Sequence, residues 1–266
     1  MIKIALCIKQ VPDTSDIKWT EHNTIQREGV ESIINPFDVY ATELALKLKS
    51  ELNDVKITVF TMGPNQASDM LRKVLAIGCD DAVLISDKKF AGADTYATGL
   101  TLSRAIRTEL PDFDLIVCGQ FAVDGDTAQT GPNIASFLDI PQVTYVKDFI
   151  SCENKILRLT RELEDGIETV ETTLPAVVCV LQNTHEPRRP LINGIKEAYK
   201  KEIKVCSMND IGLSAEKVGI KGSPTYVSKA FRHLPTHNAQ KFKMNVDDSV
   251  ELLQNKLQEL GVISNG

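Results

Sequence analysis

The sequence holds no run approaching the ~20 apolar residues that a membrane-spanning helix needs. Its first residues, MIKIALCIKQ, are too short and too alternating for a secretory leader, so a cytoplasmic protein without membrane insertion is expected. Basic residues are outnumbered, 30 Lys and Arg against 36 Asp and Glu. The resulting net charge of −6 argues against sequence-independent nucleic-acid binding. None of the six cysteines falls in a C-x-x-C pair, which disfavours a locally built zinc or iron–sulfur site. The four histidines are scattered, and Pro235 between His233 and His237 spoils a helical metal pair. No G-x-G-x-x-G follows the first strand-like run, and there is no G-x-x-x-x-G-K-[ST]. A standard dinucleotide fingerprint and a P-loop are therefore excluded. No Ser/His/Asp or Cys/His set suggests itself. A site that holds a cofactor is favoured over one that supplies a side-chain nucleophile.

What remains has ordinary globular composition. Over 266 residues, 42% are hydrophobic and 25% charged, enough to bury a substantial core. The runs KIALCIKQ (3–10), VKITVFTMG (55–63), DAVLIS (81–86) and DLIVCG (114–119) are nearly continuous in apolar residues. That suits strands buried on both faces. Between them lie helical patterns. NPFDVYATELALKLKS starts with Asn35 at the cap position, Pro36 at the first helical position and Asp38 three residues after the cap. NQASDMLRKVLAIG carries the stripe Ala67, Met70, Leu71, Val74, Leu75, with Gly78 placed to end it. A third helix spans about 94–110. This alternation predicts an α/β fold with a doubly wound, mostly parallel sheet. Cys7, Cys118 and Cys179 fall inside strand-like runs and are expected to be small, buried and reduced.

Two insertions interrupt the rhythm. Residues 16–33 pattern as a β-hairpin with a turn near His22–Asn23, and KILRLTREL and IETVETT as another around Glu164-Asp165-Gly166. AVVCVL (176–181) reads as a further core strand. Periodicity fades over 205–245, before DDSVELLQNKLQELG returns to a helical stripe of Val250, Leu253, Leu257 and Leu260. The expected organisation is an α/β nucleotide-binding domain over 1–190, a loop and helix over 191–204, and a C-terminal arm ending in a helix over 205–266. An irregular stretch of ~40 residues suits an arm packed on another chain better than one folded back on its own domain.

In open parallel sheets, ligands bind beyond the carboxyl ends of the strands, where strand order reverses. The usual doubly wound order sets the first and fourth strands side by side. The crevice then lies between CIKQ and CGQFAVDGDTAQTGP. Gly125 and Gly131 permit close backbone approach. Thr127, Gln129 and Thr130 offer neutral donors, and Pro132 suits the first turn of the following helix. Free backbone N–H groups at that helix start favour phosphate. Asp124 and Asp126 repel phosphate and suit ribose hydroxyls, an amino group or a helix cap. A nucleotide held by backbone accounts for this stretch; so does a plain strand–helix loop with an Asp cap. The length of the small-residue run and its place at the crevice favour the nucleotide.

Ordered blocks over nearly the whole chain carry a family resemblance. They are KIALCIKQVPDT, SIINPFDVYATELALKLK, VFTMGP, LRKVLAIGCDDAVLI, DLIVCGQFAVDGDTAQTGPNIASFLDIPQV, RELEDGIETVETTLPAVVCV and THEPRRPLINGIKEA. In this order the chain resembles the β subunit of an electron transfer flavoprotein. The resemblance implies a Rossmann-like domain whose arm embraces an α subunit. It also implies AMP in ordinary members and FAD in electron-bifurcating ones. DGDTAQTGP is similar to the bifurcating pattern, with Thr130 where Val is usual. Nucleotide contacts are then implied for Cys7, Lys9, Asn35, Pro36, Phe37, Asp38, Met62, Ala122, Val123, Asp124, Gly125, Asp126, Thr127, Ala128, Gln129, Thr130 and Gly131. No catalytic side chain and no metal is implied. NADH would be the electron donor and ferredoxin the low-potential acceptor. The other electrons would reach an α-subunit FAD and a partner acyl-CoA or 2-hydroxy-acid dehydrogenase. That dehydrogenase would dock at about 189–196, with Leu191 or Ile192 as apolar anchor unless Leu191 packs inward. An ordinary subunit with structural AMP is the alternative. A stand-alone nucleotide-binding regulator fits poorly with the loosely patterned arm.

Overall fold

The computed structural model describes residues 1–13, 32–52, 54–228, 239 and 241–264. The chain forms two compact units, Met1–Lys229 and Ala230–Gly266. In the first, β1 (Ile2–Cys7), β2 (Gln10–Pro12) and β3 (Ser32–Ile34) lead into α1 (Pro36–Glu51). Then come β4 (Val55–Met62), α2 (Ala67–Ala76), β5 (Asp81–Ile85), α3 (Thr95–Glu109), β6 (Leu115–Gly119) and α4 (Thr130–Leu138). The sequel is β7 (Gln142–Glu153), β8 (Ile156–Leu163), β9 (Gly166–Thr173), β10 (Ala176–Val180), α5 (Ile192–Lys200), β11 (Ile203–Cys206) and the short α6 (Gly219–Gly222).

Nine described strands form one sheet in the order β11-β5-β4-β1-β6-β10-β7-β8-β9. It is parallel from β11 to β7 and antiparallel at β8 and β9, which confirms the expected α/β class. β1 pairs with β4 on one side and β6 on the other, Ile4 facing Leu115 and Cys7 facing Cys118. Strand order therefore reverses between β1 and β6, as the usual doubly wound order predicts.

Side-chain alternation builds a layer on each face. Ile4 and Leu6 of β1, Val117 of β6 and Val178 of β10 pack with Leu44 of α1 and Leu71 of α2. Ala5 and Cys7, Ile116 and Cys118, and Val177 and Cys179 point the other way, toward Leu102 of α3 and Ile134 of α4. Fully buried aliphatic and aromatic side chains such as Leu6, Phe60 and Ile116 contribute ~1.5–3 kcal/mol each. The three expected strand cysteines are buried free thiols.

β8 and β9 pair from Ile156↔Thr173 to Leu163↔Gly166, leaving Glu164–Asp165 as a two-residue turn with Gly166 at φ 154. The hairpin expected over 16–33 lies outside the described residues save its end. There Ser32–Ile34 pairs antiparallel with Gln10–Pro12. The first unit continues past the point where periodicity fades. β11 adds a parallel edge strand beside β5, and Met208, Ile211, Leu213 and Val218 are buried in the α3/α4 layer. Irregular backbone there contributes apolar side chains singly, without a repeating pattern. In the second unit, α7 (Val246–Glu259) is capped by Asn245, whose side chain accepts the Asp248 N–H at 2.9 Å. Val246, Val250, Leu253 and Leu260 are all exposed.

Candidate functional site

Three elements meet where the strand order reverses: the ends of β1 and β6, the start of α1, and the loop from β6 into α4. Asp38, in the first turn of α1, binds them together. Its carboxylate accepts the Lys9 N–H at 2.6 Å and the Gly119 N–H at 3.0 Å. Burial pushes its pKa up to about 7, partly offset by the Lys9 amide, the Asn35 side chain and the Gly119 amide. Gly119 has no alternative here. A Cβ would lie 2.3 Å from Asp38 Oδ1 and 2.7 Å from Phe37 Cβ.

Asn35 occupies the cap position of α1, as expected, but its side chain caps nothing. It is buried and reaches across the crevice instead. Nδ2 donates to the Phe121 carbonyl at 2.7 Å and Oδ1 accepts the Val123 N–H at 3.2 Å. Its own N–H donates to the Lys9 carbonyl at 2.9 Å. Phe37, beside Pro36, meets Phe121 edge-on at 5.3 Å. Gln120 fixes the other margin, donating from its N–H to Val180 at 2.8 Å and accepting the Tyr145 N–H at 2.6 Å.

The loop's two carboxylates part company. Asp124 pairs with Lys9 Nζ, and its side chain is 2% exposed against 40% for Lys9. Asp126 is exposed. Both the Gly125 and Asp126 N–H groups donate to the Ala122 carbonyl, at 3.0 and 2.7 Å. Asp126 and Ala128 adopt left-handed backbone, φ 49 and 55. For Ala128 this costs ~1–2 kcal/mol, and such strain concentrates where backbone is being aimed at something. Neither Asp caps α4. Gln129 holds the cap position without a side-chain cap bond, its Oε1 accepting the Thr95 hydroxyl at 3.2 Å. The first amides of α4, Thr130 and Gly131, have no carbonyl four residues back within the helix.

The expected residues thus divide. Lys9, Asn35, Asp38, Val123 and Asp124 are joined to one another or to neighbouring loop backbone by the bonds above. Met62 ends β4 on the same sheet edge, half-buried. Cys7 lies under this edge, its thiol pushed far up by burial and by the nearby Asp38 and Cys179. Ala122, Gly125, Thr127, Ala128, Thr130 and Gly131 complete the loop and helix start. Gln120 and Phe121 were missed, because a polar or aromatic residue at a strand end carries no periodic signal.

A nucleotide's phosphates fit this set. A nine-residue helix starts beside the reversal point without a side-chain cap, and Lys9, held there by its ion pair with Asp124, offsets the charge of that carboxylate. Among the described residues, a Cβ on Gly125 would meet nothing within 4 Å, and Val123 is 49% exposed. No cluster of three or more metal-ligating side chains occurs among the described residues. No described helix is long and apolar enough to cross a membrane.

A second feature lies at 188–200. Arg188 grips the buried Glu43 of α1 through its Nε at 3.0 Å and one terminal nitrogen at 2.7 Å. Arg72 of α2 donates to the carbonyls of Ala198, at 2.6 Å, and Lys201. Between these anchors Leu191 and Ile192 are 78% and 74% exposed, so Leu191 does not pack inward.

The family description "Electron transfer flavoprotein domain" matches residues 22–211. An electron transfer flavoprotein subunit beta of Thermoanaerobacterium thermosaccharolyticum is 43% identical over 264 residues, 98% of this chain and 100% of the relative. The caffeyl-CoA reductase-Etf complex subunit CarD of Acetobacterium woodii is 45% identical over 231 residues, 86% of this chain and 87% of that one. The acryloyl-CoA reductase electron transfer subunit gamma of Anaerotignum propionicum is 40% identical over 270 residues, 98% of this chain and 100% of its own. Matched this fully, the chain belongs to the electron transfer flavoprotein family, among its β subunits.

Proposed function

We propose that this chain carries FAD in the β1/β6 crevice as the β subunit of a cytoplasmic, electron-bifurcating electron transfer flavoprotein. Electrons from NADH would be divided between ferredoxin and the FAD of an α subunit, which serves a partner dehydrogenase or enoyl-CoA reductase. The observation that carries the nucleotide is the uncapped start of α4 at the point where strand order reverses. Bifurcation is supported by the similarity to subunits named for caffeyl-CoA reductase and acryloyl-CoA reductase complexes.

Each residue has a stated task. The α4 amides receive the diphosphate, and Lys9 neutralises Asp124 beside them. Asp38 holds the two strand ends at fixed separation, and Asn35 fixes residues 121–123 over them. The loop 122–131 supplies the remaining contacts. When bound, FAD supplies the ability to accept a hydride and release electrons singly. Leu191 and Ile192, exposed beside Arg189 and Lys196, would anchor the dehydrogenase through residues 189–196. Of the arm expected over 205–266, the part up to Lys229 belongs to the first unit, and the remainder, Ala230–Gly266, would pack on the α subunit with the exposed stripe of α7 as its apolar face.

The test is a cofactor count in the purified αβ complex, followed by addition of NADH. Two FAD per dimer, no AMP and a flavin reduced by NADH support the proposal. One FAD with one AMP overturns it in favour of a structural nucleotide.

A further inference from the structure

We propose that the Cys118 and Cys179 thiols are positioning residues. They form the floor on which Gly131 rests, and so set how deeply the first amides of α4 enter the crevice and how tightly a nucleotide is held. This rests on the nucleotide reading of the crevice.

The floor is built by register. Cys118 and Cys179 are directly paired neighbours on β6 and β10, with side chains on the α4 face. Their sulfurs lie 3.6 Å apart, and Cys118 Sγ also points at the Val178 carbonyl, 3.7 Å away. Both are buried. The Cys118 thiol is held well above its usual pKa by its bond to Cys179 and by burial, so that thiol stays protonated.

Gly131 sits directly on this pair. A Cβ there would lie 2.3 Å from Cys179 Sγ and 2.9 Å from Cys118 Sγ. Ordinary contact is ~3.5 Å or more, so a single methyl group would lift the helix start by about 1 Å. Movement toward α3 is blocked as well. A Cβ on Gly99 of α3 would lie 2.6 Å from Asn133 Cβ, so the two helices already touch backbone to side chain. Volume added under Gly131 is therefore relieved by displacing the start of α4, with its amides, from the sheet. Two sulfur atoms below and a missing side chain above act as one spacer.

The experiment compares the αβ complex carrying Gly131→Ala with one carrying Gly131→Ala, Cys118→Ala and Cys179→Ala together. FAD and AMP are each titrated into complex freed of nucleotide, and amide hydrogen exchange is followed over residues 130–134. Gly131→Ala is expected to weaken nucleotide binding at least about tenfold and to speed exchange in the first turn of α4. Trimming both thiols should return both quantities toward the parent. Parent-like exchange in Gly131→Ala, or no rescue by the thiol truncations, overturns the seating. Rescued exchange with affinity untouched throughout overturns its link to the nucleotide. A parent complex that binds neither nucleotide sinks the crevice reading separately, since exchange reports the seating without ligand.

Discussion

Helices α3 and α4 lie on the same face of the sheet and start in opposite manners. The start of α3 is closed by its own chain. Asp94 is extended, φ −77 and ψ −175, and its Oδ1 accepts the Ala97 N–H at 2.9 Å. Its Oδ2 takes the Thr225 N–H and hydroxyl at 3.0 and 2.7 Å, and its own N–H donates to Ser223 at 2.8 Å. The start of α4 is left open. Gln129 has near-helical backbone, φ −108 and ψ −12, from which a side chain does not cap, and it turns toward Thr95. A helix start satisfied internally serves the fold. One left with bare amides at the strand-order reversal is suited to an anion from outside.

The sharpest way to break this contrast is to give α4 a charge like that of Asp94. Gln129→Asp sets a carboxylate beside the amides proposed to hold phosphate. Like charges brought together cost several kcal/mol, so nucleotide affinity should fall about 100-fold or more. Stability should rise by only a few tenths of a kcal/mol through the helix dipole, because the backbone at 129 is not in capping geometry. Nucleotide titration and thermal melting of the αβ complex would then move in opposite senses. Unchanged affinity would mean that the open amides face no phosphate.

Asn35→Ala is the next largest change and extends the comparison to α1. Like Gln129, Asn35 occupies a cap position without capping. Its amide instead ties the loop to the start of α1. Truncation leaves the Phe121 carbonyl and Val123 N–H without these partners, at a cost of ~2 kcal/mol or more. Nucleotide affinity should fall about tenfold as the loop loosens. A variant that melts early yet binds normally would make Asn35 a purely structural brace.

Most of the fold could be read from residue order because its signals are periodic. The apolar runs of β1, β4, β5 and β6 and the striped helices between them pointed to a parallel sheet, and the usual doubly wound order set β1 beside β6. The crevice loop was legible as a location but not as a set of bonds. Asn35 scores as a cap from its residue type, and only the fold shows that a backbone carbonyl and amide across the crevice compete for its side chain. Asp124 and Asp126 look alike in sequence, and Lys9, 115 residues away from Asp124, is what separates them. The thiol floor was hidden for the same reason. Cys118 and Cys179 become neighbours only through the register of β6 with β10, and the glycine above them belongs to a third element.

The smallest effect is expected at α3, where the start is closed. Asp94→Asn keeps the shape and removes the charge that receives Thr225 and the α3 amide. Weakening that cap should cost about 1 kcal/mol, or a melting shift of ~2–4 °C. Nucleotide affinity should stay within about twofold, since independent sites act additively. Partial burial alone would raise the pKa of Asp94, but the Ala97 amide and the Thr225 and Ser223 donors outweigh it and hold the carboxyl below its usual range. A depressed folded pKa means that the stabilisation is present above the ordinary carboxylate value of ~3.9 and is lost as pH falls through the lower folded one. The deficit of Asp94→Asn should therefore be constant from pH 5 to 7 and close as the solution is acidified below about pH 4. Urea midpoints of parent and variant across that range would show it. A deficit that persisted at the acid end would assign the strength of this helix start to the shape of its hydrogen bonds, with the charge contributing little. That would narrow the difference between the two helices to geometry alone.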